Sequence, residues 1–86
     1  MPVAKLTPEE KEYQERMLKK FARRIRQLRE DKGYDNHEKF ANRYELNRTQ
    51  VWRYENGEDF RFSSLLKILK AVDISLAEFF GEGFEE

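Results

Sequence analysis

Cysteine is absent from the 86 residues of the chain, and histidine occurs once. The lack of cysteine excludes disulfide frameworks, thiolate zinc sites and cysteine nucleophiles, and it fits a reducing cytoplasm. Long apolar runs are absent too: none approaches the roughly 18 residues that a membrane span needs, and the first residues lack the apolar region of a signal peptide. We therefore expect a cytoplasmic protein with no membrane contact, metal site or cofactor.

The groups needed for enzymatic chemistry are also scarce. A single histidine, no cysteine and no glycine-rich phosphate loop leave neither a nucleophile with its base nor a metal cluster. The carboxylates are scattered along charged segments, where exposure to solvent is their ordinary role. We therefore expect that the protein is not an enzyme.

Net charge is absent as well, which at first argues against a nucleic-acid partner. The distribution of charge is uneven, however, because residues 16–53 carry seven more basic than acidic side chains. Residues 1–15 carry two more acidic than basic side chains, and residues 54–86 carry five more. Phosphate contacts respond to local charge, so this basic middle favours nucleic-acid binding. The alternative is that the basic residues only solvate a long helix.

A long first helix is predicted from the apolar pattern. Thr7 suits the N-cap position and Pro8 the first helical position. Apolar residues then recur three or four positions apart, on one face of a helix that runs to about residue 32: Tyr13, Met17, Phe21, Ile25 and Leu28. We expect residues 1–7 to form a flexible arm, residues 8–80 to form one domain, and residues 81–86 to form a frayed acidic tail.

Two short helices are predicted next, joined by a tight corner. Asn36 suits the N-cap of a helix that runs to about residue 44, and Asn47 suits the N-cap of one that runs to Glu55. Only two residues separate these helices, and Asn56-Gly57 ends the second of them.

Two further helices complete an all-α fold of about five helices. Ser63 or Ser64 is predicted to cap the fourth, and a fifth spans residues 76–80. The predicted apolar face of the fourth helix consists of Leu65, Leu66, Ile68, Leu69 and Val72.

The segment from residue 37 to residue 57 resembles the phage-repressor-like (Xre-type, lambda-repressor-like) helix-turn-helix family. The family pattern has a polar first residue, a small fifth residue, a glycine at the ninth position and an aliphatic residue at the fifteenth. The chain has His37, Ala41, Glu45 and Val51 at those places, followed by the typical ending Tyr54-Glu55-Asn56-Gly57. Residues 65–80 are similar to the fourth and fifth helices of the family, and the resemblance covers roughly residues 18–80. It implies a five-helix DNA-binding domain, here with an extended first helix.

The corner is where the chain departs from the family pattern. Ala41 is small because the next helix crosses close to it, and Val51 fills the gap beneath. The family glycine often has a positive φ, which costs a residue such as Glu45 about 1 kcal/mol. Either Glu45 bears that strain or the corner has a different shape.

The resemblance implies that the chain binds double-stranded DNA with the helix after the corner in the major groove. The base-reading role then falls on Arg48, Thr49, Gln50 and Arg53. Arginine can bind guanine with two hydrogen bonds, and glutamine can bind adenine in the same way. Contacts to the phosphate backbone are expected from His37, Arg43, Asn47 and Arg61. Of the arginines at positions 23, 24 and 26, we expect most to be solvated and a minority to reach phosphate. Trp52 could flank the DNA or pack on the first helix, and we expect it to pack.

The C-terminal third is rich in aromatic residues. We expect Phe62 and Phe79 to contribute to the core, and an exposed apolar patch to mark an interface. Small domains often gain stability by pairing, and in repressor relatives this end forms the two-fold contact. We therefore predict a homodimer that binds a near-palindromic operator, with Phe79, Phe80 and Phe84 at the interface. The alternative is an antitoxin-type protein that neutralises a toxin partner and binds DNA to regulate its own operon.

Overall fold

The computed structural model describes residues 5–86, and these residues form five helices and no strand. They are α1 (Pro8–Asp31), α2 (His37–Arg43), α3 (Arg48–Glu55), α4 (Phe62–Val72) and α5 (Leu76–Phe80). The predicted all-α fold with a long first helix is confirmed. Residues 1–4 of the predicted N-terminal arm lie outside the described residues.

Side-chain caps fix the starts of four of the helices. The Thr7 hydroxyl accepts a hydrogen bond from the Glu10 N–H at 3.1 Å and caps α1, with Pro8 at its first position. Asn36 and Asn47 accept hydrogen bonds from amides three residues on, at 2.8 and 2.9 Å, and cap α2 and α3 as predicted. Ser75 caps α5 in the same way. Each cap satisfies an amide that the helix itself leaves without a partner.

The first four helices end in the same conformation. A residue with positive φ follows each helix, and the next amide bonds back to a carbonyl five residues earlier, the arrangement known as the Schellman motif. The residues with positive φ are Gly33, Glu45, Gly57 and Asp73.

The core forms two clusters, and each of them includes a residue of α3. The larger one joins α1, α4 and α5 and consists of Phe21, Ile25, Leu28, Tyr54, Leu65, Ile68, Leu69 and Phe79. The smaller one joins α2 and α3 to the end of α4 and consists of Phe40, Ala41, Val51 and Val72. The predicted inner face of α1 is confirmed from Phe21 onward, but Tyr13 is 54% exposed because the first turns of α1 extend beyond this core.

The start of α4 differs from the prediction. Neither Ser63 nor Ser64 caps the helix, which begins at Phe62 after Arg61, a residue without a side-chain cap. Phe60 stacks on Phe21 with ring centroids 3.8 Å apart, and this contact ends the loop next to the helix start. Phe60 thus takes the place in the core that we expected for Phe62, which is 55% exposed. Leu66, one turn after Phe62 on the same side of α4, is also exposed rather than part of the apolar face.

The acidic segment of residues 81–86 is not frayed as we expected. Its carboxylates pair with the basic side of α1: Glu86 contacts Arg16 and Lys20, and Glu82 contacts Arg24. Phe84 is partly buried against the larger core cluster. Because opposite charges line the two segments, the end of the described chain lies along α1.

Candidate nucleic-acid interface

The corner between α2 and α3 keeps the backbone that the sequence pattern requires. Glu45 has φ 55°, so it adopts the left-handed conformation itself and the corner is not reshaped. The Leu46 amide donates to the Ala41 carbonyl at 2.8 Å and closes the end of α2. Ala41 and Val51 are fully buried where the two helices pack, as their positions in the motif predict. The orientation of α3 is therefore fixed by packing on its inner side.

The outer side of α3 is polar and open. Arg48, Thr49, Gln50 and Arg53 are all exposed, whereas Val51 and Tyr54 are buried. Trp52 lies on the outer side too: it is 48% exposed, and it lines one surface hollow beside His37 and another beside Arg26 and Arg29 of α1. Within two turns, α3 thus has one face that packs in the core and one face that is exposed to solvent.

The four predicted base-reading residues occupy different flanks of α3. Arg48 and Thr49 line a hollow on the α2 side, together with His37, Glu38 and Trp52. Gln50 lines a second hollow on the α4 side, together with Leu46, Asn47, Val51, Ser64, Lys67 and Ile68. Arg53 is exposed and lines neither hollow. The structure therefore brings all four to one helix but spreads them across its outer surface.

The residues predicted to contact phosphate are more dispersed. His37 is half-buried at the first position of α2, and Asn47 uses its side-chain oxygen to cap α3, which leaves its side-chain N–H groups to donate. Arg43 ends α2 with its guanidinium 5.1 Å from the centre of the Tyr44 ring. Arg61 is exposed just before α4. Of these four, His37 and Asn47 line the hollows that flank α3, and Arg43 and Arg61 do not.

A buried ion pair anchors the C-terminal end of α3. Arg29 donates from Nε and Nη2 to the two carboxylate oxygens of Glu55, both at 2.9 Å, and from Nη1 to the Tyr34 carbonyl at 2.9 Å. The hydrogen bonds to Glu55 raise the pKa of Arg29 above its usual value. Arg26 also approaches Glu55, at 3.5 Å. This pair holds α3 against α1, and sequence reasoning had not paired the two residues.

Arg24 and Phe79 have roles that differ from those predicted for them. Arg24 is buried and donates to the carbonyls of Glu78 and Phe79, both at 2.8 Å, so it caps the end of α5 rather than reaching for phosphate. Phe79 is fully buried in the larger core cluster, which confirms its predicted place in the core, and it has no exposed surface for the interface role that we also predicted for it. Phe80, which is 44% exposed, and the partly buried Phe84 keep accessible surface.

Other kinds of site find little support in residues 5–86. No helix there is both long and apolar enough to cross a membrane. No group of three or more His, Asp or Glu side chains in that span is arranged to hold a metal ion.

A short helix, a corner with one left-handed residue, and a second helix with one buried face and one open polar face together define a helix-turn-helix DNA-binding domain. The family model of the Cro/C1-type helix-turn-helix DNA-binding domain matches residues 24–81, which is more than half of the chain. The protein belongs to this family and is a DNA-binding regulator. No curated protein and no solved structure matches the chain significantly.

Proposed function

We propose that the protein regulates transcription by reading a specific operator with α3 in the major groove. The observation that carries this proposal is the open polar face of α3, which holds Arg48, Thr49, Gln50 and Arg53. Arginine and glutamine on this face have the hydrogen-bonding groups that distinguish guanine and adenine in that groove. Because Val51 and Tyr54 hold the helix by its other side, these side chains reach the base edges without any loss of core packing.

Phosphate contacts on either side of α3 would set the position of the protein on the duplex. His37 at the start of α2 and Asn47 at the start of α3 are the nearest candidates, since amides at helix N-termini also attract phosphate. Arg43 and Arg61 extend this set with exposed positive charge. Such contacts add affinity for all sequences, whereas the face of α3 supplies the discrimination.

The test of this proposal is selection of bound duplexes from a random pool at about 0.15 M salt, a concentration at which non-specific binding is already weakened. Wild type is compared with Arg48→Ala and with Lys70→Ala, which removes an exposed cation from α4. We expect wild type and Lys70→Ala to enrich the same motif, and Arg48→Ala to lose preference at one base pair, at a cost of about 1 to 3 kcal/mol. No enrichment by wild type would overturn the proposal.

We further propose that the regulator acts in the cytoplasm as a homodimer on a near-palindromic site, with its two α3 helices about 34 Å apart. Support comes from exposed apolar side chains on α4 and α5, which are Phe62, Leu66, Leu76 and Phe80. Exposed apolar patches commonly mark protein contacts. Phe80→Ala is expected to shift the protein toward monomer in sedimentation without DNA. Trp52→Ala, which removes a similarly exposed aromatic side chain from α3, is expected to leave the assembly unchanged. A wild type that is monomeric at all concentrations contradicts the dimer.

The same exposed apolar side chains favour a second candidate function, in which the chain neutralises a different protein, such as a toxin, and binds DNA to regulate its own operon. The two functions differ in what the apolar side chains of α4 and α5 contact. If wild type co-purifies with the product of a neighbouring gene and Phe80→Ala abolishes the complex, the second function is supported. If wild type forms a stable homodimer on its operator and binds no such product, the first is supported.

A further inference from the structure

Two surface hollows meet where α1 passes the end of α3. The first is lined by Lys19, Ala22, Arg23 and Arg26 of α1 and by Glu55, Asn56 and Gly57 at the end of α3. The second is lined by Arg26, Arg29, Asp35, Asn36, His37, Trp52, Glu55 and Asn56. Arg26, Glu55 and Asn56 belong to both hollows, so a continuous surface leads from the start of α2, past Trp52, to Lys19 on α1. This surface adjoins the outer face of α3, because His37 and Trp52 also share a hollow with Arg48 and Thr49.

Three cations form a strip along this surface. Lys19, Arg23 and Arg26 are spaced four and three residues apart, which puts them on one face of α1, and all three are exposed. Neither Lys19 nor Arg23 takes part in an ion pair with a carboxylate in residues 5–86. Arg26 Nε lies 3.5 Å from Oε1 of Glu55, but Arg29 is closer to the same oxygen, at 2.9 Å. Within residues 5–86, Lys19 and Arg23 therefore carry positive charge that no carboxylate neutralises, and Arg26 adds a charge that is neutralised only in part.

Acidic residues limit the strip at its N-terminal end. Glu12 and Glu15 lie on the same face of α1 by helical spacing, in the two turns before Lys19. A rise of about 1.5 Å per residue makes the strip from Lys19 to Arg26 about 10 Å long, which equals the rise of about three phosphates of one strand along the axis of the duplex. An anionic polymer thus fits the strip over a defined length and is repelled beyond it.

We propose that Lys19, Arg23 and Arg26 form a second contact site for the DNA phosphate backbone, and that one strand runs from His37 past Trp52 and along α1 as far as Lys19. The proposal rests on the proposed placement of α3 in the major groove. Lys19 and Arg23 precede the residues that match the family model, which begin at residue 24, so the family match itself assigns them no role. In this chain the long α1 enlarges the DNA footprint by phosphate contacts that carry no sequence information.

The salt dependence of DNA binding tests the strip directly, because each phosphate contact releases counterions and contributes about 0.9 to the slope of log K against log salt. The double variant Lys19→Gln/Arg23→Gln is compared with wild type on a random duplex and on the selected operator. We expect the slope to fall by about 1.8 on both duplexes. Between about 50 and 200 mM salt, wild type should then lose roughly tenfold more affinity than the variant does. The motif selected from a random pool should stay the same.

Two controls separate the strip from general electrostatics and from folding. Lys11→Gln/Lys70→Gln removes the same charge from exposed positions outside the strip and should keep the wild-type slope, while Lys19→Arg/Arg23→Lys keeps the charge within it and should do the same. Glutamine is a good helix former, so circular dichroism should show an unchanged α1. Equal slopes for wild type and Lys19→Gln/Arg23→Gln overturn the strip but leave the role of α3 intact. A wild type without affinity for any duplex overturns both proposals.

Discussion

Arg48 on α3 donates a hydrogen bond from Nη1 to Oε1 of Glu38 on α2, with the two atoms 2.6 Å apart. Both side chains are largely exposed, at 66% and 53%. A side chain proposed to read bases is therefore held by an acidic neighbour in the absence of DNA. The pair must open, or rearrange, before Arg48 can donate to a base.

Loss of the Glu38 charge should strengthen DNA binding. Glu38→Gln removes a negative charge beside the proposed path of the phosphates and weakens the hold on Arg48, and exposed ion pairs contribute up to about 1 kcal/mol, or roughly fivefold in affinity. We expect tighter binding to operator and random duplexes alike, measured by titration at fixed salt. Glu9→Gln, at the far end of α1, serves as the control and should bind as wild type does. Weaker binding by Glu38→Gln would mean that Glu38 holds Arg48 in its reading position.

The buried pair of Arg29 and Glu55 should be a major contributor to stability. Glu55→Gln keeps the size of the side chain but leaves the Arg29 charge buried without its counter-ion, a change that costs about 3 kcal/mol in comparable sites. The measurement is urea denaturation at neutral pH. Arg16→Gln breaks an exposed ion pair at the other end of α1 and should cost much less. If Glu55→Gln lowers the free energy of unfolding by less than about 1 kcal/mol, the attraction within the pair only offsets the hydration that the two charges lose on folding.

Relief of backbone strain in the corner should stabilise the fold. Glu45 has φ 55°, which costs a residue with a Cβ about 1 kcal/mol, and glycine adopts that conformation freely. We expect Glu45→Gly to raise the free energy of unfolding by about 0.5 to 1 kcal/mol, after allowance for the greater freedom of glycine in the unfolded chain.

Asp73 provides the comparison for Glu45, because it has φ 57° at the end of α4. Aspartate tolerates this conformation better than most residues, so Asp73→Gly should gain less. Destabilisation by Glu45→Gly would show that the glutamate side chain contributes more than the strain costs.

The Glu86 carboxyl group should titrate at an unusually low pH. The hydrogen bond from Arg16, assisted by Lys20, lowers its pKa from 4.5 to about 2. A lowered pKa means that the ionised form stabilises the fold above pH 4.5, and that this contribution is lost as the pH falls toward 2. The difference in stability between wild type and Glu86→Gln should therefore be constant above about pH 5 and vanish near pH 2. A difference that does not change over this range would contradict the pairing, and Arg16→Gln should return the titration midpoint, followed by NMR, toward 4.5.

Local signals predicted much of this fold, and contacts distant in sequence account for what they missed. The starts of α2 and α3 follow from Asn36 and Asn47, because a cap acts within three residues of its own position. The start of α4 instead depends on Phe60 stacking against Phe21, a contact between residues far apart in the chain. No periodicity in the sequence indicates which of Phe60 and Phe62 turns inward.

The candidate site, too, was predicted only in part from local sequence signals. The exposure of Arg48, Thr49, Gln50 and Arg53 follows from the helical spacing of Val51 and Tyr54, which face the core. The burial of Arg24 does not follow from spacing, because it depends on two carbonyls of α5, more than fifty residues away. The basic strip of α1 was only partly visible in the sequence, since the neighbours that join it to α3 are known only from the fold.

The hydrogen bonds from Arg24 to α5 also constrain the order in which the chain can fold. A helix of five residues is not stable alone, so α5 persists only while α1 holds its last carbonyls. Phe21 likewise completes its packing only when Phe79 arrives. During synthesis α1 emerges before α5, and the part of its inner face that packs on Phe79 stays exposed until the ribosome has released residue 79. The protein must therefore be complete to that point before it gains a closed core, and a nascent chain stalled earlier presents that apolar face to chaperones and proteases.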